Sequence, residues 1–251
     1  MDAIGPRVTE LLDELMVHSL RGFPLTNYGI FLVIALILTL GFFLIASRRL
    51  TLIPKGIGNV AEMGMEFIRD NMVFDVIGAE GRPYLAFIAS MFFFVLFNNL
   101  LGLIPGAKPG TGTMGTTVTW ALIVFVTYNA IGMRKLGVWG YIKSFYPKGV
   151  FAPLAVYVML LELISHFIRP LTMSIRLFAN MFAGHVILGI FAIFTVLMWN
   201  GSAVGKVTAI LPLAMQIAMY ALEVFVAFIQ AYVFAILTTV YINGAVHAGE
   251  H

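Results

Sequence analysis

Arg176, Glu162, His185 and Glu223 are ionisable residues that interrupt long apolar runs in the C-terminal part of the chain. Arginine cannot lose its proton, and its charge at the centre of a bilayer costs roughly 3 kcal/mol on the mildest scale. Histidine and carboxylate side chains take up and release protons, and intramembrane chains of them are the usual material of proton relays. These residue types in these positions predict proton or ion movement within a membrane.

The composition places the chain among multi-spanning membrane proteins. Of its 251 residues, 61% are hydrophobic and 11% are charged, and the mean hydropathy is +0.97. The net charge of +3 comes from basic residues at the ends of apolar runs, which sets membrane topology and does not indicate nucleic-acid binding. The absence of cysteine excludes disulfides, thiolate metal sites and thiol chemistry. The first long apolar run begins only near Tyr28, so no cleavable signal peptide is expected.

The apolar runs predict an all-α membrane protein with five spans and one interfacial helix, in a single membrane domain at 1–251. The predicted segments are an external N-terminal segment at 1–25, a first span at 26–46, an amphipathic interfacial helix at 54–77, a helical hairpin at 84–133, and a long tilted pair at 150–199 and 206–242. Basic clusters at Arg48-Arg49 and Arg134-Lys135 place those ends in the cytoplasm. The N-terminus is therefore expected outside and the C-terminus inside.

The segments 150–199 and 206–242 are too long for ordinary spans. About 50 residues in one straight helix extend roughly 75 Å, more than twice the thickness of the bilayer core. Each segment is either two spans or one tilted and bent helix, and the five-span topology corresponds to the second choice. His166 and Arg169 have an alternative interpretation near the cytoplasmic interface, where their polar ends can reach water.

Helix periodicity decides which polar residues of the segment 150–199 share a face. Glu162 lies roughly 40° from Arg176 around the axis and about 21 Å along it, and Asn180 is one turn beyond Arg176 on nearly the same face. His185 falls roughly 180° from Arg176. One helix is thus expected to present an acid towards one membrane surface and a histidine towards the other, with a fixed cation between them.

The last segment carries a second polar face. Glu223 and Gln230 are seven residues apart, hence about 20° apart around a helix, and Tyr241 continues that face. An antiparallel hairpin of the last two helices would bring His185 and Glu223 near each other. Such a pair could exchange protons near physiological pH, which makes their contact a hypothesis worth testing.

Structural interpretations compete at several of these positions. Arg176 could form a buried ion pair with Glu162 or Glu223, which would explain its presence without any function. Glu223 could instead be a solvated residue near a helix end. Asn98 and Asn99, near the end of a span, are expected to be interhelical hydrogen-bond partners rather than site residues.

The segment at 169–185, RPLTMSIRLFANMFAGH, resembles the signature of the membrane-embedded a subunit of F-type ATP synthases. The stretch at 223–241 is similar to the matching C-terminal helix, and the segments at 54–56 and 97–105 also fit that family. The resemblance covers nearly the whole chain. It implies a stator subunit whose last two helices curve around a ring of c subunits and couple proton flow to rotary ATP synthesis.

Carried over residue by residue, the resemblance implies that Arg176 is the essential arginine facing the c ring. Asn180 and Gln230 match its polar neighbours, and Glu162 matches the acidic residue of the cytoplasmic half-channel.

His185 and Glu223 match a pair in the half-channel that opens to the other side. Some bacterial members carry the acid first and the histidine second. The order in this chain is that of mitochondria-like members, which fits an alphaproteobacterial source, and His185 favours protons over sodium.

The resemblance also implies the surroundings of the chain. Expected partners are the c ring, b-type subunits of the peripheral stalk and the lipid bilayer, in a bacterial inner membrane in preference to a mitochondrial one. No nucleic acid, cofactor or metal is implied. No glycine-rich phosphate loop followed by Lys and Ser or Thr is present, so no bound nucleotide and no catalysis by this chain are expected.

Two other classes stay open from the residues alone. An autonomous ion-coupled or proton-coupled transporter would also place ionisable residues in the membrane, but it typically shows duplicated halves with broken helices, and no convincing repeat is present. An intramembrane hydrolase needs a nucleophile beside a base. Ser165, His166 and Ser174 supply the residue types without a convincing constellation.

Overall fold

The computed structural model describes residues 4–14, 26–48, 56–104, 106–146 and 151–248, which contain helices and no β-strand. The α-helices are α1 (Ile4–Glu14), α2 (Asn27–Arg48), α3 (Ile57–Ile68), α4 (Leu85–Gly102), α5 (Met114–Ser144), α6 (Ala152–Trp199), α7 (Ala203–Thr208) and α8 (Ile210–Val246). A π-helical turn at Arg69–Phe74 continues α3, and short 3-10 turns lie at Ala79–Tyr84 and Gly110–Gly112. The predicted helix starts at 54 and 150, and positions 1–3 and 15–25 of the N-terminal segment, lie outside the described residues.

Five helical segments are long and apolar enough to cross a membrane, which confirms the five-span, all-α prediction. They are Asn27–Ser47, Ala79–Gly102, Met114–Ser144, Pro153–Trp199 and Ala203–Val246. The prediction of one long helix at each of the last two segments is also confirmed in outline. The last segment differs in detail, because α7 and α8 meet at Ala209 and α8 continues to Val246.

Helix α6 passes through Pro170 without ending, although proline has no N–H to donate. The acceptor that loses its intrahelical donor is the carbonyl of His166, four residues earlier. The hydroxyl of Tyr128 on α5 donates to that carbonyl at 3.4 Å. Re-satisfying a freed carbonyl from a neighbouring helix is what permits a proline inside a membrane-spanning helix.

Helix α5 runs beyond the predicted end of its span at 133 and changes direction at Gly137. Gly137 has φ of 72°, a conformation that costs other residues more than glycine. The turn brings the ring of Tyr141 back onto Gly132, where an added Cβ would lie 2.3 Å from Tyr141 Cε2. The chain after the span therefore folds back under α5 and α6.

The core lies between α8 and its neighbours, because α8 packs against α4, α5 and α6. Its largest fully buried apolar side chains are Ile68, Met72, Val73, Ile88, Val95, Val124, Tyr128, Leu177, Phe234 and Ile242. Helix α6 is different, since most of its length is uncovered. Its buried side chains are Ala155, His166, Met173, Ser174, Leu177 and Met181. One long face of α6 is thus free to meet lipid or another subunit.

The amide of Asn99 joins three parts of the fold. Its Nδ2 donates to the carbonyl of Ala227 on α8 at 3.4 Å, and Thr111 Oγ1 donates to its Oδ1 at 3.0 Å. The interhelical interpretation is therefore confirmed for Asn99. For Asn98 it is wrong in the described part of the chain, since Asn98 Nδ2 donates to Phe94 of its own helix at 3.1 Å.

Candidate functional site

Arg176 lies on the open face of α6, with Asn180 one turn further along the same face. Asn180 Nδ2 donates to Gln230 Oε1 of α8 at 2.6 Å, and Gln230 is only 4% exposed. No Asp or Glu in the described ranges lies within 4.0 Å of the Arg176 guanidinium. The ion pair with Glu162 or Glu223 is therefore absent from this structure, and the charge of Arg176 is available to an outside partner.

Glu223 is buried in the contact between α6 and α8, with 7% of its surface exposed. The interpretation of Glu223 as a solvated end residue is therefore wrong. Its carboxylate lies against Gly184, where an added Cβ would be 2.2 Å from Glu223 Oε1 and 2.9 Å from Cδ. Only a residue without a side chain leaves room for the carboxylate here.

His185 follows Gly184 directly, so the structure brings the carboxylate of Glu223 to the turn of α6 that carries the histidine. The Nε2 atom of His185 and both carboxylate oxygens of Glu223 are buried without a hydrogen-bond partner among the described residues. No hydrogen bond joins the two side chains. Their direct coupling stays a prediction, and buried polar atoms without partners are characteristic of sites that act on a ligand or ion.

The space beside His185 is small. A void of about 10 Å³, enough for about one water molecule, borders it. The lining residues are Tyr28, Ala107, Lys108, Pro109, Gly112, Phe182 and His185. The hydroxyl of Tyr220 on α8 donates to the carbonyl of Leu103, the residue directly after α4. This hydrogen bond links the two helices. We call His185, Glu223 and this void the outer site.

The opposite end of α6 borders a much larger cavity of about 450 Å³. Its polar lining comes from three helices: Tyr128, Tyr141 and Ser144 of α5, Glu162, His166 and Arg169 of α6, and Tyr241 and Asn243 of α8, with His247 just beyond. Glu162 is exposed into this space. The Arg169 guanidinium carbon lies 5.3 Å from the centre of the Tyr241 ring, within cation–π range. We call this space the wide cavity.

Sequence reasoning missed how closely the fold encloses His166, of which only 4% of the surface is exposed. Its position near the cytoplasmic interface stays a prediction. Sequence reasoning also missed Tyr128 and Tyr141, which line the same cavity as Glu162, and Asn129, which contacts His166. The available signal was the basic pair Arg134-Lys135 at the end of the predicted span, followed by Gly137. Periodicity within one helix does not give contacts between helices.

The six predicted site residues are thus distributed over three places. Asn180 and Gln230 bond to each other beside Arg176, His185 and Glu223 lie at the outer site, and Glu162 lines the wide cavity. Along α6 the order is Glu162, Arg176, His185. The arrangement offers two separate polar sites with a permanent cation between them.

Comparison with known proteins identifies relatives over almost the whole chain. A family model described as ATP synthase A chain matches residues 29–243. ATP synthase subunit a of Hyphomonas neptunium is 44% identical over 228 residues, which cover 90% of this chain and 88% of that protein. ATP synthase subunit a of Rhizobium rhizogenes is 40% identical over 251 residues, covering 99% of this chain and 100% of the relative. The protein of the same description from Brucella canis is 42% identical over 225 residues, 90% of each chain.

The matched region contains α6 and most of α8, and with them the outer site, Arg176 and Glu162. The similarity is spread over all five spans and is not confined to one motif. Because of this similarity, the hypotheses of an autonomous transporter and of an intramembrane hydrolase are abandoned. This chain belongs to the family of ATP synthase a subunits.

Proposed function

We propose that this chain, the proton-translocating stator subunit in the membrane sector of an ATP synthase, provides two offset half-channels that load and unload carboxylates on a ring of c subunits. The observation that carries the proposal is Arg176, a cation with no carboxylate partner in the described residues, on the open face of α6 between two polar sites. A permanent charge on a membrane-facing surface, without a partner among the described residues, favours a partner from outside the chain.

The outer half-channel leads through His185 and Glu223 and then past Asn180 and Gln230. These four side chains follow one another along the contact of α6 with α8, and the last two are hydrogen-bonded at 2.6 Å. A proton delivered along this line neutralises a carboxylate on a c subunit. The neutral acid can then pass through lipid, where a carboxylate could not.

The cytoplasmic half-channel is the wide cavity, in which Glu162 receives the proton after the ring has turned. Its volume of about 450 Å³ and its polar lining support water inside it. The basic clusters near α5 and the positive-inside rule support the cytoplasmic orientation of this end, with the N-terminus outside.

Arg176 serves the exchange in two ways. Its charge favours the ionised form of each c-ring carboxylate that passes, so the proton leaves before the carboxylate moves on. It also opposes direct proton passage between the two half-channels, because it neither titrates nor tolerates a second positive charge nearby. Each charge that crosses a potential of 100 mV releases about 2.3 kcal/mol. The rotor can use this free energy only if protons do not pass directly from one half-channel to the other.

The surroundings follow from this role. The chain itself is non-catalytic and binds no nucleotide, and ATP is made elsewhere in the complex. The long uncovered face of α6 meets the c ring, while α2 and the α4–α5 hairpin brace it and contact b-type subunits of the peripheral stalk. The membrane is the bacterial inner membrane, in agreement with the bacterial origin of the relatives.

The test is Arg176→Ala in the intact complex, with Arg176→Lys as the matched variant that keeps the charge but not the guanidinium. In inverted membrane vesicles, ATP-driven proton pumping should fall to background in Arg176→Ala although the complex assembles. Normal pumping by assembled Arg176→Ala complexes would overturn the proposal.

A further inference from the structure

His166 is a deeply buried polar residue of the wide cavity, with 4% of its surface exposed. It stands one helical turn after Glu162 on α6, so the two side chains are neighbours on one face. Five aromatic rings surround its imidazole, with centroids between 5.1 and 6.5 Å away: Phe125, Tyr128, Tyr141, Phe145 and Phe167. These rings fix the plane of the imidazole but offer no strong hydrogen bond to its nitrogens.

One hydrogen bond determines how the imidazole is oriented. Asn129 Nδ2 donates to the carbonyl of Phe125 at 2.7 Å, so its Oδ1 is the atom that faces His166 Nε2 at 2.9 Å. A carbonyl oxygen only accepts, and therefore His166 Nε2 carries a hydrogen and donates it. Asn129 thus selects the tautomer and leaves Nδ1 as the atom with a free hydrogen-bonding position.

The Nδ1 atom is buried and has no hydrogen-bond partner in the part of the chain that the structure describes. Three neighbouring polar groups of the cavity are engaged elsewhere: Arg169 lies over Tyr241, Tyr128 donates to the backbone of α6, and His247 Nδ1 contacts the carbonyl of Asn243 at 3.2 Å. A cavity of about 450 Å³ has room for on the order of ten water molecules. Water is the partner that this geometry leaves to Nδ1.

We propose that His166 is a positioning residue of the cytoplasmic half-channel: its Nδ1 binds the water that takes protons from Glu162, and Asn129 holds the ring for this purpose. The inference rests on the proposed function of the wide cavity. It adds a hydrogen-bonding group that α6 supplies one turn from the acid, in the direction of Arg176 along the helix. A water held at a fixed place conducts protons better than one that must first be oriented.

Three substitutions separate this role from a purely structural one. His166→Asn keeps a hydrogen-bonding atom near the position of Nδ1, whereas His166→Gln keeps one near the position of Nε2. His166→Phe keeps the contacts between aromatic rings but has no hydrogen-bonding atom at either position. The measurement is passive proton conduction through vesicle membranes after removal of the extrinsic ATPase sector, with assembly checked in parallel. We expect the Asn variant to stay near wild type and the Gln and Phe variants to lose roughly ten-fold.

Equal conduction in the Asn and Gln variants, or normal conduction in the Phe variant, would overturn the proposal. If the His166 variants do not assemble, Asn129 gives the second test. Asn129→Asp keeps the acceptor and should conduct normally, whereas Asn129→Leu should conduct several-fold less, and equal rates would contradict the inference. If the His166 and Asn129 variants contradict the inference but Arg176→Ala still abolishes pumping, only the role of His166 is refuted. The proposed function then stays in place.

Discussion

The outer site and the wide cavity lie at opposite ends of the same helices and differ most in the space around their acids. The void at His185 measures about 10 Å³, whereas the cavity at Glu162 measures about 450 Å³. Glu223 is buried against the backbone of α6, while Glu162 is exposed. One site therefore leaves little space around its polar groups, and the other leaves room for many water molecules.

The difference shows that the two ends hold their polar groups by different means. At the outer site a glycine admits the carboxylate and no hydrogen bond fixes it. At the wide cavity the fold-back after Gly137 and the hydrogen bond that His166 donates to Asn129 of α5 position His166 one turn from Glu162. The outer site is thus expected to respond to small changes in packing, and the cavity to changes in hydrogen bonding.

The strongest test of the outer site exchanges its two side chains. His185→Glu and Glu223→His, each alone, should reduce ATP-driven pumping on the order of ten-fold or more, because each leaves two like groups together. The double exchange should retain more pumping than either single variant. Equal losses in all three variants, in complexes that assemble equally, would show that the two side chains do not act as a pair.

A smaller effect is expected from Gly184→Ala. The new methyl group would displace the Glu223 carboxylate, whose Oε1 would lie 2.2 Å from it, and pumping should fall several-fold with assembly retained. Gly189→Ala on the same helix is the matched control, since the three heavy atoms nearest to its Cβ all belong to Leu11 of α1, the first at 2.6 Å. Comparable pumping losses in both variants would remove the special role of Gly184.

Asn99 offers a test of stability away from both sites. Asn99→Leu removes the bonds to Ala227 and Thr111, and the complex should lose about 1 kcal/mol of stability with pumping little changed. The measurement is thermal unfolding in detergent, with Thr111→Val and the double variant completing a cycle. If the losses of stability in the two single variants add up to the loss in the double variant, the Asn99–Thr111 hydrogen bond contributes nothing to stability.

The smallest effect concerns the exposed cluster beyond α3. Arg69 Nε donates to Asp70 at 2.7 Å, and this hydrogen bond and charge lower the pKa of the Asp70 carboxyl below its usual 3.8. Its contribution to stability is present above the unfolded pKa and is lost as the pH falls through the lower folded pKa. Asp70→Asn should therefore lower Tm slightly near neutral pH and not at all well below about pH 4, with less effect in high salt. A Tm difference that grows on acidification would refute this.

The sequence predicted the helical architecture well because the bilayer constrains length and polarity so strongly. The apolar runs gave five spans, and the missing loop between 150 and 199 favoured one continuous helix. Pro170 could not be judged from the sequence alone. Its effect on α6 depends on the Tyr128 hydroxyl, which comes from another helix.

The candidate site was predictable where it depends on spacing along one helix and not where it depends on contacts between helices. Periodicity placed Arg176 and Asn180 on one face, and the structure shows both on the open face of α6. It could not show that Gly184 makes room for Glu223 or that Asn129 orients His166. Those contacts depend on how α5, α6 and α8 pack, which no single segment specifies.

The most direct measurement of two offset half-channels is the sidedness of thiol reactivity, for which the chain offers a natural background because it contains no cysteine. Glu162→Cys and His185→Cys would be exposed to Ag⁺ from either side of sealed vesicles, and the remaining thiol counted after unfolding. Two offset half-channels predict reaction at position 162 from the cytoplasmic side only, and slower reaction at position 185 from the opposite side only. Reaction of both thiols from the same side, or of either from both sides, would contradict this prediction.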